Sequence, residues 1–118
     1  MRGKVLVVED DYLVRLTVCH YLQGMGWQVE EVDSGDAALK ALAAPAENIA
    51  AVLTDLRLPD MSGVELADRV RDDCPVIFMS GTLVDPEFLP GPVLRKPFDE
   101  ETLRGVLSSV MAQPARGH

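Results

Sequence analysis

Three stretches of the chain are apolar almost without interruption: KVLVV at 4–8, IAAVLT at the start of 49–55, and VIFM at 76–79. A strand with one wet face alternates apolar and polar residues, so unbroken, largely β-branched runs need cover on both faces. Between them the period changes. Residues 12–25 set Val14, Val18, Tyr21, Leu22 and Met25 at helical spacing, ended by Gly24 and Gly26. Ser34 opens an Ala- and Leu-rich helix, SGDAALKALAA, stopped by Pro45. Ser62 and Glu65, three apart, form a capping box for a helix over 63–72. Asp99 caps a last helix with the stripe Leu103, Val106, Leu107, Val110 and Met111. WQVEEVD at 27–33 alternates like a strand with one partly wet face, and PVLRKP at 92–97 holds a short fifth strand. Strand and helix in strict succession predict an α/β fold, a parallel sheet covered by helices on both faces.

At 118 residues the chain fits one domain, 1–118, with a core over about 4–112 and a frayed tail over 113–118. Apolar residues make up 47%, enough for a core without metal or disulfide staples. Cys19 and Cys74 stand far apart in no ligand spacing and read as reduced, buried thiols of a cytoplasmic protein. The net charge of −8 opposes unaided binding to nucleic acid or anionic lipid and favours a cationic or metal-assisted ligand. The apolar run after MRGK is too short for a signal peptide, and no stretch approaches a membrane span. His20, among apolar positions, reads as a partly buried structural histidine. Trp27 reads as packing, and RVRDD at 69–73 as a solvated helix face.

In an open α/β sheet, ligands sit beyond the carboxyl ends of the strands. The first strand runs into Glu9, Asp10 and Asp11, the third ends at Asp55, the fourth at Ser80, and the fifth at Lys96-Pro97. If the first and third strands are neighbours, several carboxylates meet in one crevice beside a hydroxyl and an ammonium. Two like charges 4 Å apart repel by about 4 kcal/mol at an effective dielectric near 20, so such a cluster raises a pKa or recruits a cation. Hard oxygen donors suit Mg²⁺ (or Mn²⁺). Carboxylates, a divalent metal, a lysine and a hydroxyl together make a phosphoryl-transfer site, with one carboxylate free to act as nucleophile.

Those residues carry a resemblance. VLVVEDD (5–11), LTDLRLPDMSG (53–63), VIFMSG (76–81) and LRKPF (94–98), in this order and framing, resemble the receiver domain of two-component response regulators, stand-alone or from a hybrid histidine kinase. The resemblance implies a flavodoxin-like, doubly wound five-stranded sheet of order 2-1-3-4-5. It implies that Asp55 is the phosphorylated aspartate and, with Asp11, a direct metal ligand, that Asp10 is the second acid, positioning metal and water, and that the Arg57 backbone carbonyl is a further ligand of Mg²⁺. Ser80, with Gly81 as the small residue after it, and Lys96 would bind the phosphate; the Lys96–Pro97 bond would be cis. Glu9 is expected to lie in the acidic cluster with its side chain turned away from the metal. Arg57 and Thr82 would flank the phosphate and set the rate of its loss. The partners implied are a histidine kinase or histidine phosphotransfer protein and a downstream protein, with the chain a monomer or weak dimer and a signalling phosphoacceptor rather than an enzyme.

Two departures from the family pattern stand out. Only fifteen residues, GTLVDPEFLPGPVLR, separate Ser80 from Lys96, and they hold three prolines. Asp85-Pro86 can start a helix and Pro90-Gly91 must end it, so the helix between the fourth and fifth strands is expected to be missing or a single turn. Second, Val93 stands three residues before the lysine, where the family commonly places a Tyr or Phe that moves with the hydroxyl residue. The altered segment keeps one alternative reading open, an interaction module that uses the fold without phosphorylation. A third reading, a small Mg²⁺-dependent phosphatase, needs a second acid or base to activate water and a pocket for an external substrate, and short loops without a cap offer neither.

Overall fold

The computed structural model describes residues 3–44 and 48–111. Five strands, β1 (Lys4–Val8), β2 (Gln28–Val32), β3 (Ile49–Asp55), β4 (Val76–Ser80) and β5 (Val93–Arg95), form one parallel sheet of order β2-β1-β3-β4-β5. Helices α1 (Tyr12–Gly24), α2 (Gly35–Ala43), α3 (Gly63–Asp68) and α4 (Glu100–Met111) complete the flavodoxin-like architecture.

Side chains of a strand point alternately to its two faces, and β1 fills two cores in turn. Val5 and Val7 join Val18, Cys19, Leu22, Leu103 and Leu107 on the side of α1 and α4. Leu6 and Val8 join Ala38, Ala41, Leu66 and Val70 on the side of α2 and α3. These four residues of β1 are fully buried. At about 1.5–3 kcal/mol for each fully buried aliphatic side chain, this two-sided burial outweighs the weak preferences of single residues. It places the carboxyl ends of β1, β3 and β4 side by side.

Ser34 caps α2 and Asp99 caps α4, each accepting a backbone N–H at 3.1 and 2.8 Å. Trp27 is buried in the α1 side of the core, as its apolar surroundings predict. Both cysteines are buried and free. The capping box of Ser62 and Glu65 is present, yet α3 ends at Asp68 rather than 72. Turns of the tighter i→i−3 kind follow, and the Arg71 guanidinium bonds Asp73 and the Ile49 carbonyl. Residues 69–73 are therefore a turn segment, with Val70 buried, and not a helix face. His20 is exposed, because the neighbouring positions Cys19 and Leu22 take the inward face of α1. Between β4 and β5 the chain makes one 3₁₀ turn, Pro86–Phe88, capped by Asp85. The expected loss of a full helix holds. The helix-stopping Pro45 and the tail 113–118 lie outside the described residues. Among the described residues, no helix is long and apolar enough to cross a membrane.

Candidate functional site

The site forms where β1, β3, β4 and β5 end. Glu9 follows β1 on the same side as Val5 and Val7, so its carboxylate is fully buried. Each of its polar groups is occupied. Its N–H donates to the Val32 carbonyl (3.1 Å), and its carbonyl accepts from Arg15 Nη1 (2.7 Å). Its Oε1 accepts from Lys96 Nζ (2.5 Å), and its Oε2 from the Asp11 N–H (3.1 Å). Asp55, at the end of β3, accepts from Lys96 Nζ at 3.0 Å on Oδ2 and from the Arg57 N–H at 3.4 Å on Oδ1. One ammonium thus bridges two carboxylates contributed by β1 and β3, and the Lys96–Pro97 peptide that follows β5 is cis, as expected.

Oxygens of Glu9, Asp10 and Asp55 lie within 4.8 Å of one another. This corrects two expectations. Glu9 faces into the cluster, and Asp11 does not join it. The Asp11 Oδ1 accepts the N–H groups of Leu13 and Val14 at 3.0 and 3.2 Å, which makes Asp11 the N-cap of α1. Aspartate immediately before a helix is a favoured cap because it satisfies donors that the helix leaves free. That signal was present in the sequence.

Three carboxylates against one ammonium leave an excess of negative charge. Burial raises the Glu9 pKa above the ordinary carboxylate value; the bonds from Lys96 and Asp11 oppose this, and the nearby Asp55 adds to it. Burial also disfavours the charged form of Lys96, but its bonds to Glu9 and Asp55 more than compensate, so its pKa is raised and the ammonium is held charged. The donor set fits a hard divalent cation. Mg²⁺ is such a cation, and carboxylate oxygens of the kind gathered here are among the ligands it prefers.

The remaining expected residues surround this centre. Ser80 is buried, and its hydroxyl is committed to Thr82: Oγ donates to the Thr82 carbonyl at 2.9 Å and accepts the Thr82 N–H at 3.1 Å. A Cβ built on Gly81 would meet nothing within 4 Å, so no atom of the protein demands a glycine there. Arg57 begins a tight loop, bridged to Ser62, in which the Gly63 N–H donates to the Leu56 carbonyl at 2.8 Å. The absent Gly63 side chain lets that loop lie against the Asp55 backbone. Asp60 ties the same loop to α2, accepting the Gly35 and Asp36 N–H groups at 2.9 and 2.8 Å. Those bonds lower its pKa. Val93 lies beside Phe78 in the β4–β5 pairing. Sequence reasoning missed Arg15, a largely buried side chain of α1, and Asp60; neither belongs to a catalytic pattern, and both act on backbone groups.

Residues 5–89 match the response regulator receiver domain family. The match stops within the shortened segment, before Lys96. A cyclic di-GMP phosphodiesterase of Thermotoga maritima is 32% identical over 109 residues, covering 85% of this chain and 28% of that protein. The transcriptional regulatory protein CrdR of Helicobacter pylori is 32% identical over 114 residues, covering 87% and 52%. The chain therefore spans about half or less of the length of these two relatives. Among solved structures, a CheY-like receiver domain from Methylobacillus flagellatus superposes with a TM-score of 0.79 at 29% identity, covering 93% of this chain and 99% of that one.

Proposed function

Because the chain belongs to the response regulator receiver domain family of two-component signalling, we propose that it takes a phosphoryl group from a phosphohistidine onto Asp55 and uses the modification to switch protein–protein contacts. The observation that carries this reading is the convergence of Asp55, Asp10, Glu9 and Lys96 at the carboxyl end of the sheet. An oxygen of Asp55 attacks phosphorus; the O–P bond forms as the N–P bond breaks, and the departing imidazole takes up a proton. Lys96, already on Asp55 Oδ2, is placed to hold a phosphoryl oxygen. Asp10, Asp55 and the Arg57 backbone carbonyl would hold Mg²⁺, which when bound spreads the charge of the transferring group.

Ser80 supplies the switch. To reach a phosphoryl oxygen its hydroxyl must leave the Thr82 carbonyl, exchanging one neutral hydrogen bond for a charge-assisted one, roughly twice as strong. That difference between states is what lets phosphorylation shift a population. The phosphodonor is a histidine kinase or histidine phosphotransfer protein, and the output is a contact with another protein. A second reading, an interaction module that works without phosphorylation, draws on Val93 and the single 3₁₀ turn where the family's signalling face usually lies.

Incubation with acetyl phosphate and Mg²⁺, followed by intact mass, tests the proposal. One added phosphate, lost in Asp55→Ala and in a metal-free control, is the expected result. No phosphate under any condition would leave the interaction module.

A further inference from the structure

Asp10 is the acid of the cluster that the fold leaves free: among the described residues, its carboxylate makes no hydrogen bond, and it is exposed. Its position is set by its neighbours. On one side Asp11 is fixed as the cap of α1. On the other, the Glu9 carbonyl, which belongs to the peptide that leads into Asp10, is held by Arg15 Nη1 at 2.7 Å. Arg15 is itself held from three directions. It sits in the first turns of α1, its Nε donates to Glu31 Oε1 at 3.0 Å next to the end of β2, and its guanidinium lies 5.5 Å from the centre of the Tyr12 ring. Only 16% of the side chain is exposed, against 48% for Glu31. A planar fork with donors in two directions does this; a lysine ammonium on a flexible stem cannot hold both partners in one fixed geometry.

We infer that Arg15 is a positioning residue for the metal site: by fixing the Glu9–Asp10 peptide it aims the Asp10 carboxylate at Asp55 and sets the affinity for Mg²⁺ without touching the ion. The inference rests on the reading of Asp10 and Asp55 as the metal-holding pair. It makes a prediction whose sign separates it from simple electrostatics. A guanidinium beside an acidic cluster repels a divalent cation, so if Arg15 acted only through its charge, its removal would tighten Mg²⁺ binding. If it acts by aiming Asp10, removal weakens binding; loss of a residue that orients a metal ligand commonly costs 10–100-fold in affinity.

Isothermal titration calorimetry of the unphosphorylated chain with MgCl₂, at constant ionic strength, decides between them, using wild type, Arg15→Met, Arg15→Lys and Asp10→Asn. Urea unfolding of each variant runs in parallel. A purely structural tie between α1 and β2 would move the unfolding midpoint while the folded protein kept its Mg²⁺ affinity. The expected result is loss of binding in Asp10→Asn, roughly tenfold weaker binding in Arg15→Met, and a smaller loss in Arg15→Lys, which keeps the charge and loses the fork. Wild-type or tighter binding in Arg15→Met overturns the inference. If Arg15→Met does not fold, Arg15→Lys decides, and wild-type affinity there overturns it. A wild type that binds no Mg²⁺ removes the metal reading and this inference with it, and is told apart because Asp10→Asn then changes nothing.

Discussion

Replacing Lys96 by Met keeps most of the side-chain volume and removes the one cation that bridges Glu9 and Asp55. Glu9 is fully buried, Asp55 is 15% exposed, and Lys96 is 18% exposed. Removing one partner of a buried pair costs about 3–5 kcal/mol because the other charge is stranded. Glu9 keeps its bond from the Asp11 N–H and Lys96 has some contact with water, so we expect the lower end, about 3 kcal/mol at pH 7. Against a total of roughly 5–15 kcal/mol this is a large loss. Without its cation, Glu9 has a pKa further above its ordinary value. A group whose pKa is raised by folding contributes stability that is present below its unfolded pKa and lost as pH rises through the folded one. The deficit of the variant should therefore be widest at pH 7 and shrink on acidification toward pH 5, at up to about 1.4 kcal/mol per unit. Adding Glu9→Gln removes the stranded charge, so the double variant should be more stable at pH 7 than Lys96→Met alone. The assay is urea unfolding in EDTA, followed by fluorescence of the single, buried Trp27; a 3 kcal/mol loss lowers the midpoint by about 1–3 M for a typical small-protein slope. A loss below about 0.5 kcal/mol, a deficit that does not change between pH 7 and 5, or a double variant less stable than the single would refute the reasoning.

Two further outcomes follow from burial and close approach. Burial, reinforced by Glu31, pushes the Cys19 thiol up to about 11 from an ordinary 9.0; its contribution is whole below pH 9 and lost toward pH 11, so stability should fall by roughly 2–3 kcal/mol over that window and fall less in Cys19→Ala, read from urea midpoints. Two glycines should respond to alanine in opposite ways: a Cβ on Gly105 meets nothing within 4 Å, so that change should stabilise α4 by about 0.5–1 kcal/mol, whereas a Cβ on Gly63 falls 2.4 Å from the Asp55 carbonyl oxygen and should destabilise the domain and displace Asp55, as thermal melts and Asp55 amide shifts would show.

Much of the architecture was legible because β1, β3 and β4 are apolar on both faces, and only a helix-covered parallel sheet buries such strands. The single turn at Pro86–Phe88 was legible because prolines limit where a helix can run. That Asp55 and Lys96 meet at the carboxyl edge of the sheet was legible from their places at strand ends. Glu9 and Asp11 stand differently from expectation, Glu9 within the cluster and Asp11 at the helix cap, and the reason is periodicity. Glu9 continues the two-residue alternation of Val5 and Val7 and turns inward, whereas Asp11 has left the strand and answers to the helix that follows. Consecutive acids look equivalent in a sequence; the change from one regular structure to the next makes them different. Asp60 and Arg15 were not legible because their partners are main-chain groups 25 and 6 residues away, which side-chain patterns do not encode.

The pair of Glu9 and Lys96 also bears on the order in which the domain is made. Its partners are separated by 87 positions, nearly the full span of the sheet in the chain. As the chain leaves the ribosome, Glu9 emerges long before Lys96, so a partial structure that closes over β1 does so without the cation that pairs with its buried acid. Arrival of β5 and the lysine behind it supplies that cation. The lysine at the carboxyl edge therefore also serves the fold: a fragment cut off before it would lack the cation that pairs with the buried Glu9 carboxylate, and should be less stable for it.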